Sequence, residues 1–138
     1  MTLAEIKKVL DRGCRVFYFG GYGDFDALCY QIVTSLKEKN KALAIKRIYC
    51  VSPEKYLRKN VRYFKHENYD EVVFLTPSFN GWYKSIYTRN CAMIDNSSYI
   101  IFYAEKRENS GAYKAFQYAT KTKKTDKYII NLGLHETQ

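Results

Sequence analysis

A glycine-rich segment is the part of this 138-residue sequence whose residue types and spacing could support ligand chemistry. Residues 19–26 read FGGYGDFD and follow a short aromatic and β-branched run. Glycine lets the backbone turn sharply and lets a ligand approach closely. A helix that starts directly after such a turn offers unpaired N–H groups and a partial positive charge, which suit a phosphate group. The candidate ligand-binding residues of this turn are Gly20, Gly21, Tyr22, Gly23, Asp24 and Asp26.

The two carboxylates of the turn argue against a site for phosphate alone. The segment matches neither the dinucleotide-binding Gly-x-Gly-x-x-Gly pattern nor a P-loop, because no Gly-Lys-Ser/Thr follows it. Asp24 and Asp26 would repel a phosphate, so we expect one of them to cap the following helix and the other to accept a hydrogen bond from a ribose hydroxyl. Tyr22 either stacks on a base or covers the edge of the sheet. Spacing alone leaves both a functional and a structural turn open.

Hydrophobic periodicity predicts the elements that must position this turn. Strands are predicted at residues 15–19, 43–51, 71–75, 99–104 and 127–132, because these runs are rich in β-branched and aromatic residues. Helices are predicted at residues 2–11, 25–36, 52–60 and 82–93, and around an apolar face within residues 112–119. Thr2 and Glu5 fit a capping box at the start of the first helix, and Gly13 fits its end.

Helices and strands therefore alternate along the whole chain, which predicts a single α/β domain over residues 1–138. The expected architecture is a Rossmann-like three-layer α/β/α fold with a mainly parallel sheet of about five strands. Residues 132–138 are expected to form a mobile tail. Ligands of open α/β sheets bind beyond the carboxyl ends of the strands, and the glycine turn lies at such an end.

Three further segments supply candidate ligand-binding residues. Arg89 and Asn90 lie near the end of a predicted helix, where they either hold a phosphate and a ribose or base, or place a cation at the helix terminus. Asp95 either lines the site or, with the serines that follow, orders the turn into the next strand. Ser110 and Gly111 either form a second phosphate-binding helix start or a plain helix cap.

Composition narrows the class of partner. The net charge of +9 suits a small anionic ligand or a nucleic acid, and the spread of basic residues along the chain favours the small ligand. Four cysteines without a Cys-x-x-Cys pair, together with two histidines, favour free thiols and no metal site. No apolar run approaches the roughly 20 residues of a membrane span, and no signal-peptide pattern opens the sequence. We therefore expect a cytoplasmic protein with no membrane partner.

Three motifs resemble those of the SLOG superfamily, and in particular its short bacterial YpsA-like branch. In that branch a strand leads into a Gly-x-x-x-Gly-x-Asp-type turn, and here FYFG at residues 17–20 leads to Asp26. An Arg-Asn-x-x-Met-hydrophobic-Asp-x-Ser stretch then precedes a strand, and here residues 89–98 read RNCAMIDNSS. A Gly-Gly-Thr turn then starts a helix, and here residues 109–112 read NSGA. The resemblance covers nearly the whole chain from Leu3 onward.

The chain also departs from the pattern of this superfamily, which includes LOG-type cytokinin-activating phosphoribohydrolases and the DNA-processing DprA proteins. The usual opening strand with a Thr-Gly-His-Arg-like motif is missing. In the phosphoribohydrolases an arginine and a glutamate are implicated in cleaving the N-glycosidic bond. Arg89 matches the arginine, whereas Lys114, Ala115 and Gln117 occupy the region of the glutamate. The missing glutamate favours ligand binding over hydrolysis.

The resemblance implies a protein that binds a nucleotide or nucleotide-derived ligand, as a sensor or a sequestering protein, without a cofactor. The ligand would lie between the Gly20 turn, Arg89 with Asn90, and the Ser110-Gly111 turn. The first alternative is a phosphoribohydrolase that cleaves a nucleoside monophosphate, with Asp24, Asp26 or Asp95 as its carboxylate. The second alternative is a basic protein associated with nucleic acid. Related proteins often pair through helices, so a homodimer is one oligomeric state to test.

Overall fold

The computed structural model describes residues 1–21, 23–51, 68–74, 82–106, 110–122 and 127–135. The described ranges contain five strands and five α-helices. They are α1 (Thr2–Asp11), β1 (Val16–Phe19), α2 (Asp24–Lys39), β2 (Lys46–Cys50), β3 (Glu71–Val73), α3 (Trp82–Asp95), β4 (Tyr99–Phe102), α4 (Gly111–Thr122), β5 (Tyr128–Asn131) and α5 (Leu132–His135). A 3-10 turn at Lys41–Leu43 precedes β2. The helix predicted at residues 52–60 lies outside the described residues.

The strands form two parallel sheets. One has the order β1-β2-β3 and the other pairs β4 with β5. Phe19 lies opposite Tyr49 in the first sheet, and Phe102 lies opposite Asn131 in the second. The predicted α/β class with parallel strands is confirmed. The expectation of one continuous sheet of about five strands is not, because the described strands divide into ladders of three and two.

Helix α1 follows its predicted apolar face but not its predicted cap. Ile6, Val9 and Leu10 are buried on one side of the helix. The capping box is wrong, because Thr2 is already helical and Met1 is the N-cap. The carboxylate of Glu5 instead accepts a hydrogen bond from the hydroxyl of Tyr128 at 3.0 Å. A contact across 123 positions therefore holds β5 against α1.

The main core lies between α1, α2 and the first sheet. Its buried members are Ile6, Leu10, Phe19, Val33, Leu36 and Ile45. Ile101 of β4 packs against the same cluster, so the second sheet contributes to this core. A smaller cluster of Ile94, Ala115 and Ala119 joins α3 to α4. Apolar burial on this scale supplies the main driving force for the fold.

An ion-paired network joins β2 to the segment before β3. The guanidinium of Arg47 donates to both carboxylate oxygens of Asp70, at 3.1 and 3.2 Å. Its Nη1 donates to the hydroxyls of Thr34 at 3.0 Å and Tyr30 at 3.3 Å. The hydrogen bond from Arg47 holds the pKa of Asp70 below its ordinary value. The network lies at the amino ends of the strands, so it stabilises the fold away from the glycine turn.

The carboxyl end of β5 is fastened to β4 by one buried side chain. Asn131 is 6% exposed, and its Oδ1 accepts hydrogen bonds from the backbone N–H of Ala104 at 2.9 Å and of Gly133 at 3.0 Å. Its Nδ2 donates to the carbonyl of Ala104 at 2.8 Å. Leu132, where the expected tail begins, is buried in the short helix Leu132–His135. Residues 136–138 lie outside the described ranges.

Candidate functional site

The glycine turn lies at the carboxyl end of β1, as its sequence predicts. Gly21 and Gly23 have φ angles of +69° and +94°, a region that glycine adopts at little cost. Gly23 is the N-cap of α2, so neither aspartate occupies the predicted cap position. Asp26 instead reaches back to the turn, where its Oδ1 accepts from the N–H of Gly20 at 3.0 Å and its Oδ2 from the N–H of Gly21 at 3.1 Å.

The side chain of Arg89 donates a hydrogen bond to a backbone carbonyl of the same turn. The residue is 5% exposed, and its Nη1 donates to the carbonyl oxygen of Gly20 at 3.0 Å. Its Nη2 donates to the Oδ1 of Asn90 at 3.1 Å. The Nε atom is buried and has no hydrogen-bond partner within the described part of the chain. The structure therefore brings Arg89, Asn90 and Asp26 together around Gly20.

Burial and neighbouring charges act against each other at Arg89. Burial lowers the pKa of its guanidinium, whereas Tyr49, Asp26 and Cys50 raise it. Of these three residues, Asp26 has the carboxylate side chain, and its charge raises the pKa of the guanidinium. A buried cation without a compensating anion is strongly unfavourable. Arg89 on α3 and Asp26 on α2 are therefore coupled electrostatically at the turn.

The side chains beneath the turn explain why glycine occupies positions 20 and 21. A Cβ atom added at Gly20 would lie 2.7 Å from the Nη2 of Arg89. A Cβ atom added at Gly21 would lie 2.5 Å from the Cε1 of Tyr49. Both distances are shorter than ordinary contacts, so a larger residue would displace these two side chains. Close packing under the turn, in addition to backbone conformation, therefore requires glycine here.

Tyr49 is a site residue that sequence reasoning missed. It is 2% exposed, and its ring stacks on Tyr69 with centroids 4.8 Å apart and 15° between the planes. Burial raises the pKa of Tyr49, and the charge of Asp26 acts in the same direction. The signal that could have found Tyr49 is the pairing of parallel strands, since it lies opposite Phe19, the last residue before the turn.

The cysteines near the turn are poor nucleophiles. Burial raises the pKa of Cys50 to about 12 and that of Cys29 to about 12, and Asp26 contributes to both shifts. A thiol with such a pKa is almost entirely protonated at neutral pH, whereas the thiolate is the reactive form. All four cysteines are free. This site therefore offers binding groups in place of a thiolate nucleophile.

The Ser110-Gly111 segment forms the start of α4. The hydroxyl of Ser110 accepts a hydrogen bond from the N–H of Tyr113 at 3.2 Å, which is an N-cap interaction. No atom lies within 4 Å of a Cβ built at Gly111 among the described residues. The ring of Phe25, in the first turn of α2, lies 5.8 Å from the ring of Tyr103 after β4. This contact places the start of α2 next to the carboxyl end of β4.

Asp95 lies away from the glycine turn. It is the last residue of α3 and precedes β4, so it lies toward the amino end of that strand. Its carboxylate accepts a hydrogen bond from the hydroxyl of Tyr118 at 2.8 Å, and its carbonyl accepts one from Lys127 at 3.3 Å. The hydroxyl of Ser97 donates to the carbonyl of Met93 at 2.7 Å. These contacts order the turn into β4.

Two candidate residues remain, Asp24 and Tyr22. Asp24 is exposed in the first turn of α2, beside the glycine turn. Tyr22 lies outside the described residues.

Within the described ranges no three His, Cys, Asp or Glu side chains form a group that could hold a metal ion. The helices in those ranges are also too short or too polar to cross a membrane.

No protein-family model matches the sequence, and no curated protein matches it. The function is therefore inferred from the geometry of the turn and of the side chains that support it.

Proposed function

We propose that this protein binds a nucleotide or nucleotide-derived ligand over the carboxyl ends of its strands, as a sensor or a sequestering protein. The observation that carries the proposal is the hydrogen bond from Arg89 to the carbonyl of Gly20 at 3.0 Å. It joins two segments that are 69 positions apart, namely the glycine turn and the Arg-Asn stretch that resembles the SLOG pattern. Their meeting at a strand end supports a ligand site there, because that edge is where open α/β folds bind ligands.

The proposal includes a Rossmann-like three-layer fold in which β4 and β5 extend the sheet beyond β1. Three contacts between the two halves support this arrangement. Ile101 of β4 packs into the core beneath β1, the ring of Phe25 lies near that of Tyr103, and Tyr128 of β5 donates to Glu5 of α1. In such a fold the starts of α2 and α4 lie on one edge, where both could face the same ligand.

Charge supports an anionic ligand. The protein carries a net charge of +9, and such a charge raises the local concentration of small anions. The start of α4, capped by Ser110, adds backbone N–H groups that suit a phosphate.

Binding is favoured over hydrolysis because of how the carboxylates are engaged. The carboxylate of Asp26 accepts from two backbone N–H groups, so both of its oxygens already hold hydrogen bonds within the protein. Asp95 contacts Tyr118 at the other end of α3. Asp24 is the third candidate carboxylate, and it is exposed to solvent beside the turn. An exposed carboxylate is better suited to contacting a ligand than to transferring a proton at a bond shielded from water.

A thermal-shift screen tests the proposal. The purified protein is heated with nucleoside monophosphates, cyclic nucleotides and ADP-ribose derivatives. A ligand at 100 times its Kd stabilises the folded state by about 2.7 kcal/mol, which corresponds to a rise of several degrees in Tm. Asn90→Ala should reduce the shift, because Asn90 orients Arg89. Arg12→Ala removes an exposed arginine near Tyr128 and should leave the shift unchanged.

Two results would overturn the proposal. One is the absence of any shift with all of these compounds. The other is a shift of equal size in the wild type, Asn90→Ala and Arg12→Ala, because general electrostatic binding to a basic protein would produce that pattern. For any compound that binds, chromatography of the mixture for released base distinguishes a binding protein from a phosphoribohydrolase.

A further inference from the structure

The glycine turn already holds an anion that belongs to the protein. The N–H groups of Gly20 and Gly21 are consecutive donors on the backbone, and the two oxygens of the Asp26 carboxylate accept one hydrogen bond from each, at 3.0 and 3.1 Å. Two successive N–H groups aimed at one anion form the kind of backbone concavity that binds phosphate in other proteins. Here that concavity is filled from within the chain.

A buried cation also lies next to the turn. The guanidinium of Arg89 donates to the carbonyl of Gly20 and is 5% exposed. Its Nε lies 3.5 Å from the position of a Cβ at Gly20 and, among the described residues, has no hydrogen-bond partner. An arginine held in this way places a fixed cation beneath the turn. The charge of Asp26, on α2, acts to raise the pKa of that guanidinium.

A phosphate cannot use the same two donors while the carboxylate remains. Each N–H group donates one good hydrogen bond, and the two anions would also repel each other at contact distance. The exposed carboxylate of Asp24 lies in the same first turn of α2 and adds to this repulsion. Among the parts of a nucleotide, the uncharged sugar and base are therefore the ones compatible with the occupied turn.

We infer that Asp26 is the specificity-determining residue of the glycine turn. Its carboxylate occupies the anion position, so a bound nucleotide places its sugar or base over Gly20 and Gly21 and directs its phosphate elsewhere. The orientation of the ligand rests on the proposed function. The occupation of the anion position does not, and it can be tested with inorganic phosphate alone.

The test compares Asp26→Ala with the matched control Asp24→Ala. Both variants remove one carboxylate from the first turn of α2, but Asp26→Ala alone releases the N–H groups of Gly20 and Gly21. Each ¹⁵N-labelled protein is titrated with inorganic phosphate at constant ionic strength in chloride. We expect saturable shifts of the Gly20 and Gly21 amide signals in Asp26→Ala, with an apparent affinity at least tenfold higher than in the wild type or in Asp24→Ala.

Two outcomes would overturn the inference. Phosphate could shift the Gly20 and Gly21 amides of the wild type as strongly as those of Asp26→Ala, or it could leave these amides unmoved in Asp26→Ala. If Asp26→Ala does not fold, Asp26→Ser replaces it, because serine keeps a polar residue in the first turn of α2 but lacks the two carboxylate oxygens that accept from Gly20 and Gly21. A phosphate affinity of Asp26→Ser no higher than that of the wild type would then overturn the inference.

The nucleotide screen separates this inference from the proposed function. If the wild type binds a nucleotide but neither Asp26 variant gains phosphate binding, the inference fails and the proposed function stands. If the Asp26 variant gains phosphate binding but no nucleotide binds the wild type, the proposed function fails and the role of Asp26 in excluding anions stands.

Discussion

Arg89 donates a hydrogen bond to the carbonyl oxygen of Gly20 at 3.0 Å, although the two residues are 69 positions apart. The contact fixes α3 against the end of β1. It also leaves so little room that any Cβ at Gly20 would lie 2.7 Å from the guanidinium. The glycine turn is therefore held from two helices, with Arg89 bound to its carbonyl and Asp26 bound to its N–H groups.

The first prediction concerns the space above Arg89. Gly20→Ala should lower the free energy of unfolding by about 1–3 kcal/mol, the usual cost of overpacking a buried position. Gly111→Ala is the matched control, because nothing described lies within 4 Å of its Cβ position and alanine favours a helix over glycine. Urea unfolding measures both variants. Equal losses in the two would contradict the role assigned to Arg89.

The second prediction concerns the buried amide of Asn131. Asn131→Ala removes three hydrogen bonds and leaves the N–H and carbonyl of Ala104 and the N–H of Gly133 without this partner. Each buried unsatisfied group costs about 1–3 kcal/mol, so the free energy of unfolding should fall by at least about 2 kcal/mol.

Asn96→Ala controls for the loss of an asparagine amide. The Nδ2 of Asn96 donates to the carbonyl of Ala92 at 2.7 Å from an exposed position, where water can replace the bond. Its loss should change stability by less than about 0.5 kcal/mol. If chemical denaturation gave Asn131→Ala a similarly small effect, the proposed fastening of β4 to β5 would be wrong.

The third prediction concerns acid stability. Arg47 holds the pKa of Asp70 below its ordinary value of 3.8 in the folded state. A depressed folded-state pKa contributes stability that is present above the unfolded-state value and is lost as the pH falls through the folded-state pKa. The wild type should therefore lose part of its stability below about pH 4. The urea midpoint of Asp70→Asn, measured from pH 7 to pH 2, should fall less steeply in that range, and parallel curves would refute the assignment.

The fourth prediction concerns thiol reactivity. Burial raises the pKa of Cys29 and of Cys50 to about 12, so both should react slowly with iodoacetamide at pH 8. Cys50 is fully buried and should be modified only as fast as the protein opens. Peptide mass spectrometry of the timed reaction gives the rate for each cysteine. Modification of Cys50 as fast as in a urea-unfolded sample would show that the β2 end of the core is open to solvent.

Local patterns in the sequence predicted the elements but not the contacts between them. Helix α2 was predictable, because its apolar residues recur every three or four positions. The capping box at Thr2 and Glu5 was not realised, because Tyr128 takes the carboxylate of Glu5 from across the fold. The same limit applies to the sheet, since strand propensity does not determine whether the edge of β1 is hydrogen-bonded to β4.

The candidate site was likewise predictable only in its local features. The glycine turn was identifiable from its composition and its place after a strand. The hydrogen bonds from Asp26 and Arg89 depend on two helices, α2 and α3, that are distant in sequence and meet at Gly20. No local pattern encodes that meeting. Tyr49 was missed because its role comes from its position opposite Phe19 in the parallel ladder. The Arg-Asn motif made Asp95 a candidate ligand-binding residue, but Asp95 lies at the other end of α3 and contacts Tyr118.

The most direct test of the central claim is an amide chemical-shift map of the wild type with a nucleotide found in the thermal-shift screen. The claim is that the ligand lies over the carboxyl ends of the strands. We expect the largest shifts at Gly21, Asp24, Asn90 and Gly111, with Lys46 and Lys127 at the amino ends of the strands unmoved. Shifts concentrated at Lys46 and Lys127, with the glycine turn unaffected, would contradict it.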